Sequence, residues 1–391
     1  MLGNLGSRDC DRFIPPRHHD KSLHPDCTLT DSASTPDSLY SCMIKRQLFG
    51  ESNERVMPFP QLRRKESSSV SWESGCRAEQ VDANACSPTK ILDIPGYRDD
   101  YYQNCVDWSS DGTLAIALDR EVYLYNAEQV VKLCEGTQGG PYISSVKLYD
   151  GIALVGMSSG DVEVYDLGEG QKIRTVRGHQ ERVAALDMVG GLLVTGSKDK
   201  CILVHDLREE WSQVRDFGNH NGEICTIKAK NGIENVFASG STDGTAIVWD
   251  LNHGLMTHLK GHKGAVKALD WCPWKNGILA TGGGNSSHKN IKVWNTNSSM
   301  LLANHPIDSQ ISGIAFNDEY RMMVTAHGHP HNTIELWSLE SSQERMRVCH
   351  KRTLPGHRGR ILNLLQSHDQ KHLCTAGADE NLRVWALSGG A

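Results

Sequence analysis

A basic excess is the first thing this 391-residue chain lacks: 41 Lys and Arg stand against 47 Asp and Glu, a formal charge of -6. A phosphate-binding surface needs net or clustered positive charge, so the composition gives no reason to expect nucleic acid as a partner. Long apolar runs are missing as well. None approaches a spanning helix, and the polar stretch from Met1 to Asp11 has no apolar core to act as a signal peptide, so no membrane is expected. The twelve cysteines form no C-x-x-C pair. In a long chain that favours reduced thiols, in the cytoplasm or the nucleus, over a disulfide framework. Catalytic signatures are scarce too: there is no G-x-S-x-G element, and no cysteine sits in a context that marks a nucleophile. The sequence therefore reads as a protein that is not an enzyme and calls for no cofactor.

What the chain does have is a repeat. Seven times an alternating apolar strand ends in a ring-bearing residue and then a small or acidic one: Tyr125-Asn126, Tyr165-Asp166, His205-Asp206, Trp249-Asp250, Trp294-Asn295, Trp337-Ser338 and Trp385-Ala386. The period is 40 to 48 residues, with Gly178-His179, Gly261-His262 and Gly356-His357 upstream of three endings. That is the signature of WD-type blades, and it predicts an all-β, seven-bladed propeller. In the third, fourth and seventh repeats a hydroxyl residue stands four positions before an Asp and the ring six after it: Thr195, Asp199, His205; Ser239, Asp243, Trp249; and Thr375, Asp379, Trp385. With His179, His220 and His357 these sets predict buried hydrogen-bond chains in which each polar group satisfies the next. Two local patterns invite other chemistry. His327, His329 and His331 share a strand face in a metal reading, but no carboxylate or thiol nearby completes a shell, so a polar turn of the sixth blade is expected and no metal. Gly282-Gly283-Gly284 lacks the Gly-Lys-Ser/Thr and the helix of a phosphate loop, and reads as a blade turn.

Residues 1–88 are rich in Ser, Asp, Arg and Pro with little apolar periodicity, which predicts a disordered regulatory tail. Residues 89–391 are then the propeller, punctuated by turns such as Asp111-Gly112 and Asp243-Gly244. The last ring comes six residues before the final residue, leaving too little chain for a fourth strand in the seventh blade. Lys90 to Pro95, with Ile91 and Leu92 as its apolar pair, is expected to supply that strand and close the ring.

In the tail, Asp11-Arg12-Phe13-Ile14-Pro15 joins charge, aromatic, aliphatic and proline in a segment otherwise too polar to fold. It reads as a short docking motif, the alternative being a chance pentapeptide. With Arg17 it resembles the C-box of the Fizzy and Fizzy-related proteins, the activator subunits of the anaphase-promoting ubiquitin ligase. Ile91-Leu92-Asp93-Ile94-Pro95, Arg98-Asp99-Asp100-Tyr101-Tyr102, Asn104 and Val106-Asp107-Trp108-Ser109-Ser110 resemble that family's entry into blade one. Tyr142 to Val146, Trp271-Cys272-Pro273-Trp274 and Leu279 to Gly284 look closer to the mitotic Fizzy branch.

The resemblance implies a substrate receptor docked on the ligase, with degron-bearing substrates such as cyclins and securin and with spindle-checkpoint proteins as partners. It implies a destruction-box pocket between blades one and seven, where Asp100 and Glu380 face the degron arginine; forked charge-assisted hydrogen bonds suit two carboxylates around one guanidinium, and solvated loop acids are the alternative. For the KEN degron, Asp107, Gln310 and Arg360 match family positions on the top face. Thr242 and Gly244 stand where the family has Asn, which removes amide groups, and Asn285 lies on a loop one residue longer than usual. Arg55, Val56, Met57 and Phe59 resemble the checkpoint-binding motif of the tail, with Pro58 falling where no backbone donor is required. Ser87-Pro88 and Thr35-Pro36 have the form favoured by proline-directed kinases. The chain finishes Gly389-Gly390-Ala391 where family members commonly finish Ile-Arg, which implies either heavier reliance on the C-box or a lower affinity and action under restricted conditions. The competing readings are a general WD-repeat scaffold, or the receptor of a different ubiquitin ligase, and after them an enzyme on a propeller scaffold.

Overall fold

The computed structural model describes residues 87–387, apart from 127–128, 210–212, 231, 234, 285–287 and 343–344. The described residues build seven antiparallel sheets of four strands. Blade one runs through Val106–Trp108, Leu114–Leu118, Glu121–Asn126 and Gln129–Glu135. Blades two to six begin at Ile143–Tyr149, Val183–Val189, Ile224–Ala229, Val266–Trp271 and Ile311–Asn317 and follow the same meander. The first strands of successive blades lie side by side around the axis, and that of blade one meets Ile361–Gln366 of blade seven. Inner strands are covered on both faces by neighbouring blades, which is why Leu114–Leu118 is an unbroken buried apolar run instead of an alternating one. Fourth strands sit at the perimeter, and Ile173 and Val214 are exposed there.

Blade seven confirms the expected closure. Its sequence-contiguous strands are Ile361–Gln366, His372–Gly377 and Asn381–Ala386, and the fourth is Lys90–Asp93, antiparallel to the last of these. The Ile94 amide extends the pairing by donating to the Glu380 carbonyl at 2.8 Å. The apolar pair differs from the expected one. Leu92 and Ile94 are buried, whereas Ile91 is exposed, because side chains two apart share a strand face and adjacent ones do not.

The ring residues all lie on third strands, and the polar chains form as their spacing predicts. His357 bonds Asp379 through Nδ1 and Thr375 through Nε2, both at 2.8 Å, while the Trp385 indole donates to the same Thr375 hydroxyl. Blades three and four repeat the His–hydroxyl and His–Asp contacts with His179, Thr195 and Asp199, and with His220, Ser239 and Asp243. In blade five, His262 and Trp294 share the Thr281 hydroxyl.

Two local expectations are corrected. His327 is not in a turn: it ends the strand Met322–His327, fully buried, between Ser309 at 2.5 Å and Thr325 at 2.6 Å. Trp337 donates to that same Thr325, so His327 fills in blade six the place a loop histidine fills elsewhere. His329 and His331 are exposed. The triple glycine also belongs to a strand, Ile278–Gly284. Added Cβ atoms at Gly282 and Gly283 would collide with the Ile311 side chain and the Ala265 carbonyl, so close packing of the next blade's side chain and of neighbouring backbone, not turning, demands glycine there.

Candidate functional site

From the closing strand the chain turns at Gly96 and crosses the top of the ring before entering blade one. This stretch, Tyr97 to Asn104, is polar and aromatic, and it bonds to every blade. Arg98 reaches the blade-one turn at Asp119, with Nη2 at 2.6 Å, and lies over the Tyr142 ring. Tyr97 donates to Asn363 of blade seven and Tyr101 to the Ile311 carbonyl of blade six, each at 2.5 Å. Burial pushes both phenols well above their ordinary range, so they remain hydrogen-bond donors.

Asn104 closes the stretch near the axis. Its amide donates to the carbonyls of Ala184 and Cys225, in blades three and four, and its backbone pairs with Ser144 and Val146 of blade two. Lys267 of blade five donates to the Asn104 side chain at 2.6 Å and to the Gln103 carbonyl at 2.9 Å. Burial pushes the Lys267 ammonium down to about 8. A buried ammonium is costly unless it is bonded, and these acceptors make the crossing segment part of the core.

Asp100 stands at the centre of a charged array. It accepts from the Tyr102 amide, from Gln103, and from Arg182 at 2.5 Å. Arg182 in turn grips Glu223 of blade four through two bonds of 2.6 and 3.0 Å. Burial alone would raise the Asp100 carboxyl, but the Tyr102 amide and the Arg182 guanidinium outweigh it and hold the group below its ordinary value. Beside it Asp99 accepts from Arg360 at 2.5 Å. Together Arg98, Asp99, Asp100, Tyr101, Tyr102, Gln310 and Arg360 line an open cavity of about 470 Å³. Guanidinium, amide, carboxylate and phenol groups converge there, a donor and acceptor set suited to a short polar peptide.

The residues singled out in the sequence are distributed unevenly over this site. Asp100, Gln310 and Arg360 come together at the cavity. Glu380 is not among its lining; it sits in the turn before the last blade-seven strand with φ 57°, and its carbonyl holds Ile94. Asp107 is nearly buried and directed elsewhere: it accepts the Leu148 amide of the next blade at 2.7 Å and faces Lys147. Asp187 and Asp270 accept from Ala229 and Phe316 in the same way, so among the described residues this aspartate is one of three such inter-blade clamps. Thr242 and Gly244 lie on a blade-four turn, where Gly244 takes φ 82° and an added Cβ would press on the His262 carbonyl. Asn285, the C-box residues Asp11 to Pro15 with Arg17, Arg55 to Phe59 and Thr35 lie outside the described residues, whereas Ser87 is exposed. Arg182, Glu223 and Lys267 escaped sequence reading. Among the described residues no group of three His, Cys, Asp or Glu is placed to hold a metal, and no helix is long and apolar enough to cross a membrane.

Comparison with known proteins adds three findings. A family model described as the CDC20/Fizzy WD40 domain matches residues 92–385. WD repeat-containing protein slp1 of Schizosaccharomyces pombe is 36% identical over 310 residues, 78% of this chain and 62% of that protein. Anaphase-promoting complex subunit cdc20 of Dictyostelium discoideum is 36% identical over 77% of this chain and 60% of its own length. The chain thus spans about three-fifths of these relatives, while B-type cell cycle switch protein ccs52A of Medicago truncatula is 32% identical over 96% of this chain and 84% of its own length. Among solved structures, a chain of the Mitotic Checkpoint Complex superposes with a TM-score of 0.74 at 31% identity, covering 86% of this chain and all of that one.

Proposed function

The chain belongs to the CDC20/Fizzy family of WD40 propellers, and from that premise we propose that it is a substrate-recognition co-activator of the anaphase-promoting complex. It recruits and does not catalyse; ubiquitin transfer belongs to the ligase. The observation that carries this reading is the family match, which extends over nearly the whole propeller, from Leu92 in the closing strand to Trp385 in the last blade. Relatives whose names place them in that complex are 34% and 36% identical over 77% of this chain.

In this reading the C-box, Asp11 to Pro15 with Arg17, docks on the ligase, and the propeller holds the degron. A destruction-box arginine approaches Asp100 and Glu380. Because Asp100 already shares Arg182 with Glu223, the array Asp100–Arg182–Glu223 carries one net negative charge, which an incoming guanidinium neutralises. Gln310 and Arg360, two of the KEN-receptor positions, line the same cavity as Asp99 and Asp100, so in this reading both degrons meet the propeller at one cavity. Cyclins, securin and spindle-checkpoint proteins are the partners this function calls for, in the cytoplasm and nucleus.

The test is ubiquitination of a destruction-box substrate by purified ligase. The intact chain is expected to stimulate it, Arg12→Ala to remove most of the stimulation, and Asp100→Ala with Glu380→Ala to remove it for destruction-box substrates. No stimulation by the intact chain would point to a scaffold or to another ligase. Product formed without the ligase would make it an enzyme.

A further inference from the structure

On the perimeter, away from the top cavity, a groove of about 800 Å³ runs between the outer strands of blades five and six, Met300–Pro306 and Arg345–Leu354. These two outer strands lie against each other along part of their length. The reason lies beneath them, where Trp337 stands between His305 and His350, each ring 5.0 Å away, and ties the two edges together. Met346 and Val348 are buried against the core shared by these blades, with Leu302 and Ala303 on the facing strand, so the groove has an apolar floor. At one end Leu301 is 42% exposed.

The edge above that floor is basic. Arg345–Leu354 carries Arg345, Arg347, Lys351 and Arg352 and no carboxylate, in a chain of net charge -6; one carboxylate, Glu340 on the paired strand opposite Arg347, also lines the groove, leaving the positive charges in excess. It is also the last strand of its sheet, paired on one side only with Ile334–Ser342. Exposure alternates along it: Arg345 and Arg347 face solvent, Met346 and Val348 face the floor. Positive side chains on an edge repel a second copy of that edge, yet they attract a strand of opposite charge.

We propose that this groove docks an extended acidic peptide of a partner protein, added as a fifth strand to blade six. Period-two alternation sets its chemistry. Apolar residues two apart drop beside Met346 and Val348, and the acidic residues between them meet Arg345 and Arg347, with Lys351 further along. This docking surface is independent of whatever the top cavity binds.

The test is fluorescence anisotropy on the full chain, using a labelled Glu-Glu-Leu-Glu-Leu-Glu-Glu peptide as probe. Saturable binding is expected, weakened roughly tenfold by Arg345→Glu with Arg347→Glu, since two exposed charge contacts become repulsions. Leu301→Ser should weaken it less. N-methylation of alternate probe amides should abolish it, because strand addition needs those donors. Lys260→Glu, an exposed lysine on the outer strand of blade four, should leave it unchanged. Absence of saturable binding, equal loss in Lys260→Glu, or undiminished binding of the N-methylated probe would each overturn the proposal; circular dichroism checks that every variant stays folded.

Discussion

Acidification from pH 7 to pH 5 should destabilise the propeller by several kcal/mol, and three histidines set the size of the loss. His205, His262 and His327 are buried, and burial pushes their imidazoles down to about 4, about 4 and about 3. Each stays neutral in the fold but takes a proton in the unfolded chain below its ordinary value near 6.5. Stability is therefore complete above that value and falls as the pH drops toward the folded one. Between pH 7 and pH 5 each group costs about 2 kcal/mol, and this figure hardly depends on the folded value once that lies near 4 or below. Three such groups remove about 6 kcal/mol, a large part of the ~5–15 kcal/mol of a typical domain. Asp270 and Glu335, raised by burial, act in the opposite direction and trim the loss. Urea-unfolding midpoints at pH 7, 6 and 5 measure the effect, and His327→Gln should abolish about a third of it while lowering stability at neutral pH. Midpoints that do not move with pH would refute the assignment of these three rings as buried neutral groups.

Thr375→Val should cost about 2–4 kcal/mol, because one hydroxyl serves both His357 and Trp385, whereas Thr375→Ser keeps the oxygen and costs less; chemical denaturation separates them. Leu92→Asp places a charge on a side chain only 4% exposed and should destabilise by roughly 3 kcal/mol or more, with protease cleavage appearing around the closing strand. Phosphorylation at Ser87 is expected in mitotic material by mass spectrometry; Ser87 is exposed, and the Thr89 bonds to Val384 that lie beyond it stay intact, so Tm should shift little. Binding of a degron peptide at the cavity should slow amide exchange of Ile94, whose N–H bonds Glu380; an unchanged rate would separate the site from the closure.

The scaffold was legible because its signals are local. Third-strand rings, hydroxyl–Asp spacing and the shortfall in the last blade gave the blade count and the closing strand. His327 was misread for a definite reason. In blades three, four and seven the hydroxyl precedes the ring by ten residues, but in blade six Thr325 precedes Trp337 by twelve, since a longer connection intervenes and hides the match. The clamp role of Asp107 had a usable signal, because Asp187 and Asp270 occupy equivalent places in their own first strands. Arg182 had none: its ion pair with Asp100 bridges 82 residues of sequence, and nothing short of the closed ring brings the two together.

Ring closure and the candidate peptide site share one stretch of chain. Lys90–Asp93 completes blade seven, and only a few residues later Tyr97 to Asn104 cross the top and fasten to all seven blades. A propeller closed by a strand from upstream faces an entropic problem, because loop closure must be offset by contacts that form only when the ring is complete. The crossing segment supplies those contacts at the axis, where Lys267, Asn104 and Asn363 meet. The same segment holds Asp99 and Asp100 in place on its upper side, each by an arginine from a different blade. The acidic groups of the cavity are therefore rigid to the extent that the ring is closed. A peptide that binds only the closed arrangement would stabilise closure, and full opening of the closing strand would lower its affinity by that same coupling free energy.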